Sequence, residues 1–205
     1  MYDRTVKDRP VSFGVSGKLY ESNVLLYDHQ TESLWSQLQA AAVTGELTGT
    51  PLIPIASLTT TWQAWREQYP EILVLSTHTG FRRDYGRLPY RQYASSPRLM
   101  FPVRHADFRL GPKDKVLGVT IAGRHEAYSL AVLHKRAVPI QDQLGHKKIT
   151  AVYDPIANSA QVVDAESGEL LPSVVAYWFA WVSFHRETAV YGSPQARPRM
   201  PEGSH

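Results

Sequence analysis

The sequence predicts a mainly β (α+β) fold built of curved β units, pseudo-duplicated, each closed by a short Trp-bearing helix. Three observations predict it. Short runs rich in β-branched and aromatic residues recur between Gly, Pro, Asn and Ser turn signals, the pattern of half-buried strands. Trp62 and Trp65 share a three-residue spacing with Trp178 and Trp181, which suits one face of a helix. Tyr2-Asp3 and Tyr153-Asp154 lie upstream of these pairs, and Val74-Leu75 and Val190-Tyr191 downstream, an order that signals internal duplication.

Residues 11–15 and 23–27 read as strands, joined by a turn at Ser16-Gly17. Residues 34–37 continue extended, and 51–55 reads as an edge strand because each proline removes a ladder donor. Thr59-Thr60-Thr61 supplies a helix N-cap before Trp62, and Pro70 stops that helix after Tyr69. A strand at 72–75 follows. From 77 to 112 the turn pairs Thr79-Gly80, Tyr85-Gly86, Leu88-Pro89, Ser96-Pro97 and Phe101-Pro102 deny regular structure, and a loop of that length tends to be functional. Strands resume at 116–121, 127–132, 148–153 and 161–163, with turns at Ala122-Gly123, Leu144-Gly145 and Ser167-Gly168. Residues 175–185 read as the second helix. Trp62, Trp65, Trp178 and Trp181 are expected to be core anchors, since a tryptophan pair on one helix face usually packs.

These elements organise as a single β-rich domain over 1–192, with pseudo-repeats at about 1–76 and 113–192 joined by the irregular 77–112 loop. Residues 193–205 read as a flexible tail, in which Gly203-Ser204-His205 resembles part of a tag.

Composition bounds the function. A chain of 205 residues, 43% hydrophobic and 20% charged, is an ordinary globular sequence and neither disordered nor fibrous. Net charge is +3, and the basic residues crowd the 82–115 region, where a positive field would attract an anionic partner. There is no basic–aromatic repeat, helix-turn-helix or zinc-finger spacing, so no nucleic-acid partner is expected. Without cysteine, disulfide and thiolate chemistry are excluded for this sequence. No run approaches the roughly 20 apolar residues of a membrane span, and no signal-peptide pattern opens the chain; the compartment is left unassigned.

Metal chemistry finds little support. The eight histidines form no H-x-H or H-x-x-x-H pair, and His105-Ala-Asp107 offers only two ligands. His125 and Glu126 are adjacent and would point oppositely in a strand. The histidines are therefore expected in exposed loops, with no metal and no cofactor. Ser16, within Gly14-Val-Ser-Gly17, lacks the G-x-S-x-G spacing of a nucleophile elbow.

A polar binding site fits better. Ser16, Tyr20, Asn23, Asp28, Trp35 and Gln37 concentrate donors, acceptors and an aromatic wall in a segment where a structural strand would be Val- and Ile-rich. From the 77–112 loop, His78, Arg82, Arg83, Asp84 and Tyr85 are the candidates to close over it; guanidinium forks suit a carboxylate or phosphate. The expected activity is binding of a small polar or anionic ligand. One alternative is a hydrolase-like or metal-dependent enzyme using Asp28, Asp84, His78 or His105. Another is an interaction module completed by a partner chain. The first repeat lacks counterparts of the strands within 116–149, which leaves an open sheet edge; a homo-oligomer with residues 2–15 near the contact is the corresponding expectation.

The FGVSGKLY…SN…LLYD…TESLWSQ block (residues 13–37) resembles the microbial proteins grouped as the domain of unknown function 3179. The likeness continues in Leu47-Thr-Gly-Thr50, Thr61-Trp62, Arg83-Asp84-Tyr85-Gly86, Phe101-Pro102-Val103 and Lys115-Val-Leu-Gly-Val119, and closes on Trp178-Phe179, Trp181, Phe184 and Thr188. It covers roughly residues 2–191. Such proteins usually carry an upstream unit, with a Cys-Pro-Leu-Cys-like segment and a His-Glu pair, before the position matching Tyr2-Asp3. The resemblance therefore implies a naturally short form, a mis-set start or a trimmed chain, onto which no thiol or metal chemistry carries over. Arg186 also stands where a proline is usual, which affects a helix stop and not function.

Overall fold

The computed structural model describes residues 1–87, 90–136 and 138–193. The Leu88-Pro89 turn and all but the first residue of the 193–205 tail lie outside the described residues. As expected, the fold is mainly β; the described residues form several sheets and three short helices, one helix more than expected.

The N-terminal part is a four-stranded antiparallel sheet, β3 (Phe13–Tyr20), β4 (Asn23–Asp28), β5 (Leu34–Ser36) and β6 (Ala41–Thr44), preceded by a small hairpin of β1 (Thr5–Val6) and β2 (Arg9–Pro10). The β3–β4 turn is not at Ser16-Gly17. It falls at Glu21-Ser22, both at positive φ (48° and 59°), as a two-residue hairpin turn requires. Gly17, at φ 71°, instead sits in a bulge where the register shifts between Val15 and Leu19. Under this sheet Trp35 is fully buried among Val6, Val11, Ala42, Leu47 and Leu52.

Residues 51–55 form only two isolated bridges, Ala41 to Pro51 and Tyr2 to Pro54, because their prolines cannot sustain a ladder. Helix α1 (Trp62–Gln68) starts where expected, with the Thr61 hydroxyl accepting from the Ala64 N–H at 3.2 Å. It buries none of its residues, and Trp62 is 50% exposed, so Trp62 and Trp65 are not core anchors. The strand expected at 72–75 pairs with none of the described residues; Leu73 and Leu75 are 95% and 97% exposed. Residues 77–112 carry no helix or strand among those described.

The C-terminal part is two packed sheets. One runs β13 (Ser173–Tyr177), β7 (Lys115–Ile121), β8 (Arg124–Ser129), β14 (Ala189–Val190), with β14 parallel to β8. The other runs β12 (Leu170–Leu171), β11 (Ser159–Asp164), β10 (Lys147–Asp154), β9 (Ile140–Leu144). Strand β7 explains why its sequence is an unbroken apolar run: both of its faces are covered. Leu117 and Val119 meet Ile140, Ile149 and Val162, while Val116 meets Trp178, Trp181 and Val182 on the opposite side.

Two boundaries differ from expectation. The 127–132 strand ends at Ser129, and helix α2 (Leu130–Lys135) follows, turning Leu133 into the core. The second Trp helix, α3 (Trp178–Phe184), is shorter than 175–185 because Val174 and Val175, β-branched, remain in β13.

Candidate functional site

A cleft of about 850 Å³ lies between the two parts of the chain. One wall comes from Asn23 at the start of β4, the 37–40 turn after β5, and the proline-punctuated 51–55 segment. The other comes from β7, β8, β13 and α3, contributing Gly118, Thr120, His125, Tyr177, Trp181 and His185. The Tyr2 hydroxyl, at the base of the first wall, donates to the Gln37 carbonyl and fixes that turn.

The chemistry concentrates on an aromatic triad. The His125 and His185 rings lie 4.3 Å apart, and His185 stacks at a tilt on Trp181 with centroids 4.0 Å apart. Strand β8 delivers His125, whose Nδ1 is 2.8 Å from the Thr120 hydroxyl across the β7–β8 pair. His185 is the C-cap of α3. Burial pushes the His185 imidazole down to about 4, the neighbouring His125 pushes it the same way, and a hydrogen bond to the Leu38 backbone opposes both. Burial likewise lowers His125, against the opposing charge of Glu187. Both rings are thus neutral near pH 7, each with one donor and one acceptor nitrogen, of which Thr120 engages one on His125 and the Leu38 backbone one on His185.

Across the cleft, Asn23 Oδ1 is buried and has no hydrogen-bond partner among the described residues. Buried polar atoms are rarely left so, because each costs about 1–3 kcal/mol when unsatisfied. Lys115 is exposed at the rim.

The sequence-predicted residues divide into three groups. Asn23 and Gln37 line the cleft. Ser16, Tyr20, Asp28 and Trp35 belong to the same sheet but support it. Ser16 donates to the Leu25 carbonyl and accepts from the Lys18 N–H, closing the bulge. Tyr20 packs edge-on against Phe184 at 5.4 Å, tying the first sheet to α3, and Arg104 lies over its ring. Asp28 is fully buried and accepts from Trp35 Nε1 at 2.8 Å, from the Thr31 N–H at 2.6 Å and from the Thr31 hydroxyl. Burial raises its pKa, but those hydrogen bonds prevail and hold the carboxyl below the usual carboxylate range. His78, Arg82, Arg83, Asp84 and Tyr85 lie on an exposed segment, where Asp84 accepts from the Gly86 N–H and Tyr85 meets the Thr79 hydroxyl. Among the described residues, none that lines the cleft comes from 77–112. Asp107, offered with His105 as a ligand pair, accepts instead from Arg109 Nε at 2.9 Å. Among the described residues no three His, Asp or Glu side chains converge as metal ligands, and no helix is long and apolar enough to cross a membrane.

As cleft residues His125 and His185 were missed: His125 was weighed only as a metal ligand beside Glu126, and the histidines were expected in exposed loops. They stand on different elements far apart in the chain, and no local spacing joins them. The available signal was the placement of His185 four residues after Trp181, one helical turn on.

The family model described as "Protein of unknown function (DUF3179)" matches residues 1–188, and the chain belongs to this family. No curated protein and no solved structure matches it.

Proposed function

We propose that this domain binds a small polar ligand in the cleft between the two parts of the chain. The observation that carries this reading is a cleft of about 850 Å³ walled on one side by the His125–His185 pair and on the other by Asn23 and Gln37. Amide and imidazole groups lining a roomy cleft are places for a ligand N–H or O–H. Tyr177 supplies flat apolar surface for the ligand body. Neutral imidazoles and the amide residues Asn23 and Gln37 suit an uncharged or donor-bearing polar group, and Lys115 at the rim suits a peripheral anionic substituent.

Ligand-observed NMR with a panel of small amides, polyols and amino sugars tests the reading. A binder is expected whose affinity falls at least tenfold in Asn23→Leu and in His185→Phe, while Asp84→Asn leaves it unchanged. Binders insensitive to both cleft substitutions, or no binder in the panel, would count against it.

A further inference from the structure

We propose that residues 90–100 hold a second site, which binds a small phosphate monoester carrying a flat apolar body. The inference is independent of the cleft, with which this site shares no lining residue. It starts from charge. Between Tyr85 and Ala106 the sequence carries Arg87, Arg91, Arg98 and Arg104 and neither aspartate nor glutamate. Arg104 is answered from elsewhere, with its Nε 3.4 Å from a Glu21 carboxylate oxygen. Arg91 and Arg98 both line a pocket of about 610 Å³, and neither forms an ion pair among the described residues. That volume falls within the roughly 300–1,000 Å³ of small-molecule sites.

The pocket is tied to the C-terminal sheet through Tyr93. Its ring meets Tyr177 of β13 edge-on at 6.5 Å, and Lys113 lies 3.3 Å over it and donates to the Tyr93 carbonyl. Local hydrogen bonds hold the turns on either side. The Tyr93 N–H donates to the Tyr90 carbonyl at 2.8 Å, and the Ser95 hydroxyl to the Gln92 carbonyl at 3.1 Å. Ser96, which lines the pocket, accepts from the Arg98 N–H through its hydroxyl oxygen, so its own proton is available to a ligand oxygen. Guanidinium forks match the oxygens of a phosphate in pairs. Two of them without a carboxylate are balanced by a dianion, whereas a carboxylate ligand would answer only one. Lys113 adds positive charge beside the pocket, and Tyr90 and Tyr93 give the esterified group an aromatic surface.

The test uses the full chain with phenyl phosphate, followed by saturation-transfer NMR of the phenyl protons and by phosphorus line width. Saturable binding is expected, weakened at least tenfold in Arg91→Gln and in Arg98→Gln. Tyr90→Ser should weaken phenyl phosphate severalfold and leave inorganic phosphate, the weaker ligand, unchanged. Arg82→Gln/Arg83→Gln, in the same loop but outside the pocket, should bind as wild type, and so should His185→Phe, which separates this site from the cleft. The substituted loop side chains are exposed, and near-UV circular dichroism of their variants should match wild type. No saturable binding, or binding that survives Arg91→Gln/Arg98→Gln together, would overturn the proposal. So would an equal loss in Arg82→Gln/Arg83→Gln, since that would reveal only the diffuse field of a basic loop.

Discussion

The ring of Trp181 lies flat across Gly118, so closely that a Cβ at that glycine would come within 2.4 Å of Cζ3. Gly118 is therefore the floor on which α3 sits, and both residues also line the cleft. The contact couples the packing of the C-terminal sheet to the shape of the candidate site.

Gly118→Ala should push Trp181 off β7 and cost about 1–3 kcal/mol, the usual range for overpacking a filled core. A lower urea midpoint with an unchanged m-value would register this. Because His185 stacks on the same ring, its NMR ring resonances should move as well. A variant with wild-type midpoint would show that α3 gives way freely.

Asp28 and Trp35 define a second structural centre, and removing the acceptor should be costly. Asp28→Ala leaves Trp35 Nε1 and the Thr31 N–H without their bonds, at about 1–3 kcal/mol for an unsatisfied buried group. Trp35→Ala should cost about 3–5 kcal/mol, since the side chain is fully buried. If these residues were ligand contacts, affinity would fall without loss of stability; the expected result is the reverse, by thermal melting.

Strand and helix positions were legible wherever local signals were strong. The Val-Leu-Gly-Val run of β7 and the Thr61 cap of α1 are examples, each carrying its own periodicity or cap. What failed depended on tertiary context. Ser16-Gly17 has turn chemistry, but the flanking ladder continues past it, and a bulge uses the same positive φ as a turn. In β6, Ala41 and Ala42 dilute the strand signal of Val43 and Thr44, and the strand is held by pairing with β5. Of the candidate site, Asn23 and Gln37 were found because the polar block was unusual. His125 and His185 were not, because only the packing of α3 on β8 brings them together.

The two tryptophan pairs should respond oppositely to truncation. Trp178→Ala and Trp181→Ala should each lose about 3–5 kcal/mol, as buried large-to-small changes do. Trp62→Ala, on a helix with no buried residue, should stay within about 0.5 kcal/mol of wild type in the isolated chain. Chemical denaturation of the three variants decides it, and a large loss at Trp62 would show that α1 is covered in solution.

Acid should weaken the fold in two stages, and the histidine pair sets the first. His185 is held at about 4 against an ordinary value of 6.5, chiefly by burial, and His125 is lowered in the same direction. A base whose folded pKa lies below its unfolded one binds more protons when unfolded, so stability rises with pH across that interval. On acidification the loss should begin near 6.5 and level off near 4 for His185. The second stage belongs to the carboxylates. Asp28 and Asp164 are held below the ordinary 3.8, Asp164 at about 2 by its hydrogen bond to Lys147, and their stabilisation disappears only as pH falls through that lower range. Urea midpoints measured from about pH 7 to about pH 3 should therefore show a slope that flattens in His125→Gln/His185→Gln while the acid limb persists. An unaltered slope in that double variant would assign the upper stage to other groups.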